Sequence, residues 1–92
     1  MKISGRQIAA ARDLLGITQQ ELAEAAGVSK NTLIRFETGQ GEPHAPNKAK
    51  IEQELFKRGI EFTNGTGIGV RLDYEKAQKF AAQREGYPHP DA

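Results

Sequence analysis

Three apolar pairs punctuate the first forty residues: Ile3 with Ile8, Ile17 with Leu22, and Val28 with Leu33. Inside each pair, one residue after the first member, stands a hydroxyl: Ser4, Thr18 or Ser29. A hydroxyl at that place accepts from the free N–H groups of a first helical turn, and the flanking apolar pair closes over it as a hydrophobic staple. Ser4-Gly-Arg-Gln and Thr18-Gln-Gln-Glu extend this to a full capping box, whereas Ser29 lacks the returning carboxylate. The stops match the starts, because Gly16, Gly27 and Gly39 each stand where a left-handed residue ends a helix. The pattern therefore predicts helices over Gly5–Leu15, Gln19–Ala26 and Lys30–Glu37. Pro46 suits the first turn of a fourth helix running to Arg58 and stopped by Gly59, with Ile51 and Leu55 one turn apart as its buried stripe.

After Gly59 the period shortens to two. Ile60 and Phe62 share one face, as do Ile68, Val70 and Leu72, across a glycine-rich connection, which reads as a β-hairpin. The run Gly65-Thr-Gly-Ile-Gly is not a phosphate loop, since it opens no helix and has neither G-x-G-x-x-G nor G-K-S/T spacing. From Asp73, helical spacing returns with Tyr74, Ala77, Phe80 and Ala81, predicting a short amphipathic helix before a frayed YPHPDA tail. The expected division is a helical domain over 1–59, a hairpin packed on it over 60–72, and an extension over 73–92.

Composition narrows the chemistry. A chain of 92 residues is expected to form one domain with a modest core. It has no cysteine, which fits a reducing cytoplasm, and no apolar run long enough to span a membrane. His44 and His89 lie far apart beside prolines, so neither a metal site nor a cofactor is implied. Paired carboxylates and a nucleophile beside a base are also missing, which argues against an enzyme. The net charge is +1, and residues 1–42 carry five basic and five acidic side chains. If a nucleic acid is the partner, local placement of charge must do the steering.

The third helix offers such placement. On a helical wheel Ser29, Leu33 and Phe36 turn towards the core that Ile8, Leu15, Leu22 and Ala26 provide, while Lys30, Asn31, Ile34, Arg35 and Thr38 turn outward. Ala23 and Gly27 are small where two helices would meet at a sharp angle. Asn can pair with adenine, Arg or Lys with guanine, and an aliphatic group such as Ile34 can meet the thymine methyl. Gln19, in the first turn of the second helix, is placed to hold a DNA phosphate, and Thr32 and Thr38 flank the reading face as further phosphate candidates. Arg12 and Glu37 fall beside core positions and are expected to form a partly buried ion pair between the first and third helices.

The stretch GRQIAAARDLLGITQQELAEAAGVSKNTLIRFETG closely resembles the phage-repressor and Cro-like helix-turn-helix proteins, the XRE family of bacterial regulators. The resemblance is dense from Ser4 to Gly39. It implies a mainly α, lambda-repressor-like bundle of four or five helices that binds palindromic operators as a dimer. By position it assigns Gln19 to the DNA backbone, Ser29, Lys30, Asn31 and Arg35 to the major groove, and Arg12 with Glu37 to the internal pair. ELFKRGIEFTNGTGIGVRL resembles a variant of the family in which a strand pair follows the fourth helix. The sequence departs from the pattern at Asn47 and Lys48, where an apolar residue is expected. The leading expectation is a repressor of double-stranded DNA, dimeric through the hairpin edge Val70–Leu72 or the stretch after Asp73. The alternative is an adaptor or antitoxin-like module that grips a protein partner through residues 60–92.

Overall fold

The computed structural model describes residues 2–83. Five helices and one hairpin follow in order: α1 (Gly5–Leu15), α2 (Gln19–Ala26), α3 (Lys30–Glu37), α4 (Ala45–Lys57), β1 (Ile60–Asn64), β2 (Ile68–Leu72) and α5 (Tyr74–Gln83). The YPHPDA tail and His89 lie outside the described residues. Both capping boxes form, at Ser4 with Gln7 and at Thr18 with Glu21, and the Ser29 hydroxyl caps α3 alone. Gly16 and Gly27 adopt φ 68° and 75°, turning their N–H groups back onto the last carbonyls of α1 and α2.

The core lies where α1–α4 converge on the inner face of the hairpin. Ile8, Leu22, Leu33, Ile51, Leu55 and Ile60 are its largest fully buried side chains, and each contributes about 1.5–3 kcal/mol relative to exposure. Ala23 is buried between the helices, as its size suggests. Gly27, by contrast, is needed for its backbone angle rather than its size, since a Cβ there would meet nothing within 4 Å. The close approach is at Gly5, where a Cβ would stand 1.8 Å from the carbonyl oxygen of Phe36. The start of α1 thus presses directly on the end of α3.

The strands pair antiparallel, with Ile60 opposite Leu72 and Phe62 opposite Val70. Gln7 fastens them to α1. Its Oε1 accepts from the Ser4 amide at 2.9 Å, while its buried Nε2 reaches Asn64 Oδ1 at 2.8 Å and the carbonyls of Gly69 and Thr63 at 3.0 and 3.2 Å. Asn64 donates in turn to the Lys2 carbonyl.

The polar first turn of α4 packs by an unexpected route. Lys48 is half-buried, its ammonium lying 5.7 Å from the centroid of the Phe36 ring and donating to Glu42 at 3.1 Å. A long apolar stem with a charged tip takes the place expected of an apolar side chain. At the other end of α4, buried Glu54 binds Arg58 at 2.8 Å and Lys57 at 3.0 Å, and the Arg58 guanidinium covers the Phe80 ring at 4.8 Å. The α5 helix rests on that contact and on the Asp73 amide, which donates to the Gly59 carbonyl at 2.8 Å. Ala77, Phe80 and Ala81 are half-buried, as the helical spacing predicts, but Tyr74 is 76% exposed and does not join their stripe.

Candidate nucleic-acid interface

The α3 helix is held from behind by apolar contact and by a polar lock. Leu33 and Phe36 are buried in the core. One turn beyond Leu33, Glu37 receives Arg12 through two parallel bonds, Nε to Oε2 at 3.0 Å and Nη2 to Oε1 at 3.1 Å. The remaining Arg12 nitrogen, Nη1, donates to the Ile17 carbonyl at 3.1 Å. The Glu37 side chain is 4% exposed and that of Arg12 23%, so the pair is largely withdrawn from water and its planar fork fixes the orientation of both partners. Gln19 joins the same carboxylate, its Nε2 donating to Glu37 Oε1 at 3.0 Å. One carboxylate therefore ties α1, the start of α2 and the end of α3 together.

Outward from that lock, Lys30, Asn31 and Arg35 are exposed and Ile34 and Thr32 half-buried. The structure brings the predicted reading residues Lys30, Asn31, Ile34 and Arg35 onto one face of α3. Among the described residues the side chains of Lys30, Asn31 and Arg35 carry no hydrogen bond or ion pair, so their donors and acceptors are available to a ligand.

The other predicted positions have prior engagements. Ser29 does not turn inward. It is exposed, because a capping residue stands outside the helical geometry that a wheel assumes. Its Oγ accepts from the Thr32 amide at 3.1 Å and donates to Thr32 Oγ1 at 2.8 Å. Thr38 donates its hydroxyl to the Ile34 carbonyl at 2.8 Å, so it must break that bond before donating to a phosphate. Gln19 keeps one amide hydrogen beyond the one given to Glu37.

Residues to which the sequence assigns no DNA contact flank this face. A shallow cleft beside Thr32 and Arg35 is completed by Gly41, Glu42, Pro43 and His44 of the α3–α4 connection and by Asn47 of α4. A hydrogen bond from Lys48, with Lys2 alongside, holds the Glu42 carboxyl below its usual pKa, so it stays ionised and bound to both. Lys48, in the first turn of α4, and Glu42, in the preceding connection, are six residues apart, a spacing that carries no sequence signal.

A family model described as helix-turn-helix matches residues 8–62. The chain is similar to three archaeal proteins. It is 36% identical over 55 residues to a protein of Methanocaldococcus jannaschii named as an HTH-type transcriptional regulatory protein, covering 60% of this chain and 17% of that one. A Methanococcus maripaludis protein of the same description is 32% identical over 79 residues, covering 86% of this chain and 23% of the relative. An uncharacterized HTH-type transcriptional regulator of Methanothermobacter thermautotrophicus is 40% identical over 50 residues, 54% of this chain and 72% of the relative. The chain thus spans about a fifth of the length of the first two curated relatives.

Proposed function

The chain belongs to the helix-turn-helix family, and on that premise we propose that it is a DNA-binding transcriptional regulator, a repressor that seats α3 in the major groove of a palindromic operator. The observation that carries this reading is the outer face of α3, where Lys30, Asn31 and Arg35 stand unengaged among the described residues on a helix locked from behind. These donors and acceptors match base edges, and a rigid support lets small positional differences be read as energy. Gln19 and Thr32 lie where phosphate contacts would set the register, and Ser29 lies at the groove-facing end of α3. Selection of bound duplexes from random DNA tests the reading. An enriched inverted repeat is expected, with Asn31→Ala/Arg35→Ala losing about 2–6 kcal/mol on it and little on bulk DNA. Equal loss on every sequence would show that α3 is not a base reader.

One copy of α3 contacts few base pairs, and a homodimer across half-sites one helical turn apart supplies the second reader. The hairpin edge and α5 are the elements proposed to pair, and Ile68, 61% exposed, with Tyr74 offers them apolar surface. The same two side chains favour the second reading, a protein-interaction module gripping a different partner. Replacing both by serine separates the two. Loss of the dimer in sedimentation, together with operator affinity, supports self-association, whereas an unchanged dimer and operator affinity leaves the patch to another protein.

A further inference from the structure

Twelve of the thirteen lysines and arginines lie among the described residues. The carboxylates of Glu37, Glu42, Glu54, Glu61 and Glu75 engage eight of them in ion pairs. The four cations without a carboxylate among the described residues are Arg6, Lys30, Arg35 and Lys50. Lys30 and Arg35 belong to the face of α3 already described, and Lys50 sits on α4 beside a cleft shared with α2. Arg6 and Lys50 are the two that the α3 face does not account for, and of these Arg6 is the one beside the end of α3, across from Glu37, Thr38 and Gly39.

Its position is unfavourable for the fold. Arg6 is in the first turn of α1, which contains no acidic residue, so a positive side chain faces the positive end of the helix dipole without a partner among the described residues. It is also exposed. A cation kept at such a place gains nothing from the helix that carries it.

The surface leads from Arg35 to Arg6 without interruption. The cleft beside Arg35 ends on Gly41 and Glu42. A second shallow cleft continues from Gly41 and Glu42 past Gly39 to Lys2 and Gly5. A third runs from Gly39 and Thr38 to Gly5 and Arg6. Gly39 and Gly41 leave bare backbone along this furrow, where a bulky polymer can come close. Two carboxylates border it, Glu42 held by Lys48 and Lys2, and Glu37 held by Arg12, so neither presents an unpaired negative charge. We propose that the furrow around the end of α3 carries the DNA sugar–phosphate backbone and that Arg6 is a phosphate-binding residue, extending the nucleic-acid surface from the helix-turn-helix onto α1. This rests on the DNA-binding reading given above.

The test is the salt dependence of binding to a mixed-sequence duplex and to a selected operator, for wild type, Arg6→Gln, Arg6→Glu and Lys50→Gln. Loss of one phosphate contact lowers the slope of log K against log salt by about 0.9, which is about eightfold in affinity near 0.1 M salt. Arg6→Gln is expected to show that loss equally on both duplexes, while Lys50→Gln keeps the wild-type slope. Arg6→Glu should bind still more weakly yet melt at a higher temperature, because a carboxylate suits the start of α1. That opposition of sign distinguishes a binding residue from a structural one. A wild-type slope in Arg6→Gln, or the same drop in Lys50→Gln, overturns the assignment of Arg6 while leaving DNA binding intact. Failure of the wild-type protein to bind either duplex overturns the DNA-binding reading and this proposal with it.

Discussion

The helices α3 and α5 differ little in length, at 8 and 10 residues, and both alternate apolar and charged positions at helical spacing. Their attachments differ in kind. Leu33 and Phe36 of α3 are buried and Glu37 is locked by Arg12 and Gln19, whereas α5 buries no residue and leans on Arg58 through the face of Phe80. Ion pairs show the same split. The pair behind α3 is withdrawn from water with two parallel bonds, and those of α5, Lys76 with Glu61 and Lys79 with Glu75, are exposed. Exposed pairs add about 0–1 kcal/mol each, so α3 is fixed by its surroundings and α5 largely by its attachment at Asp73. A helix that must present donors in register to base edges benefits from the first arrangement. One that must adapt to a second surface tolerates the other.

The sharpest way to break this contrast is to open the lock. Glu37→Ala leaves the Arg12 guanidinium mostly buried with only the Ile17 carbonyl, and removing one member of such a pair costs about 3–5 kcal/mol. Urea unfolding should record that loss, and the surviving folded fraction should bind operator more weakly than bulk DNA explains. The next largest effect is expected from Gly5→Ala. The added methyl meets the Phe36 carbonyl oxygen, so α1 and α3 must part, at a cost of about 1–3 kcal/mol even though alanine is the better helix former. A neutral or stabilising result would show that the two helix ends separate freely.

These two residues also mark how far the sequence can be read. Arg12 and Glu37 were legible because each sits at core spacing on its own helix, where an unpaired charge would be prohibitive. The caps were legible because their signals lie within five residues. Gly5 was not, since its reason lies at Phe36, on a helix whose approach cannot be known before the fold is. Gln7 reads as the third residue of a capping box and is that, yet its Nε2 also binds the hairpin more than fifty residues away. The position of Gln19 points its amide towards DNA, but no local pattern shows that it also gives one hydrogen to Glu37. Charge counting hid the pattern of cations for the same reason, because pairing is decided in space.

A smaller effect is expected on the α5 side. Phe80→Ala removes the ring beneath Arg58, a contact worth about 0.5–2 kcal/mol depending on how far water is kept from it. Arg58 keeps its bond to Glu54, so the core is undisturbed. Hydrogen exchange should quicken in α5 and stay unchanged in α3. Equal protection in both helices would mean that α5 is held by more than Arg58 and Asp73.

The mildest perturbation is acid, and it acts through the caps. The N-terminal cap of α3 is the Ser29 hydroxyl, which does not titrate in this range, whereas Asp73 Oδ1 accepts from the Lys76 amide at 3.0 Å at the start of α5. That backbone hydrogen bond, the largest cause, with Lys76 and Arg71 nearby, holds the Asp73 carboxyl below its ordinary pKa. A carboxylate whose pKa is lowered on folding stabilises the fold above its unfolded value, and the contribution is lost as pH falls through the folded one. Acidification through the lower end of the aspartate range should therefore fray the first turn of α5 while α3 keeps its cap. Amide chemical shifts followed against pH would show Lys76 moving towards its random-coil position with Thr32 unmoved. Simultaneous movement of both would mean that the two helices unfold together, and Asp73→Asn, which keeps a capping oxygen without the charge, should abolish the early Lys76 transition.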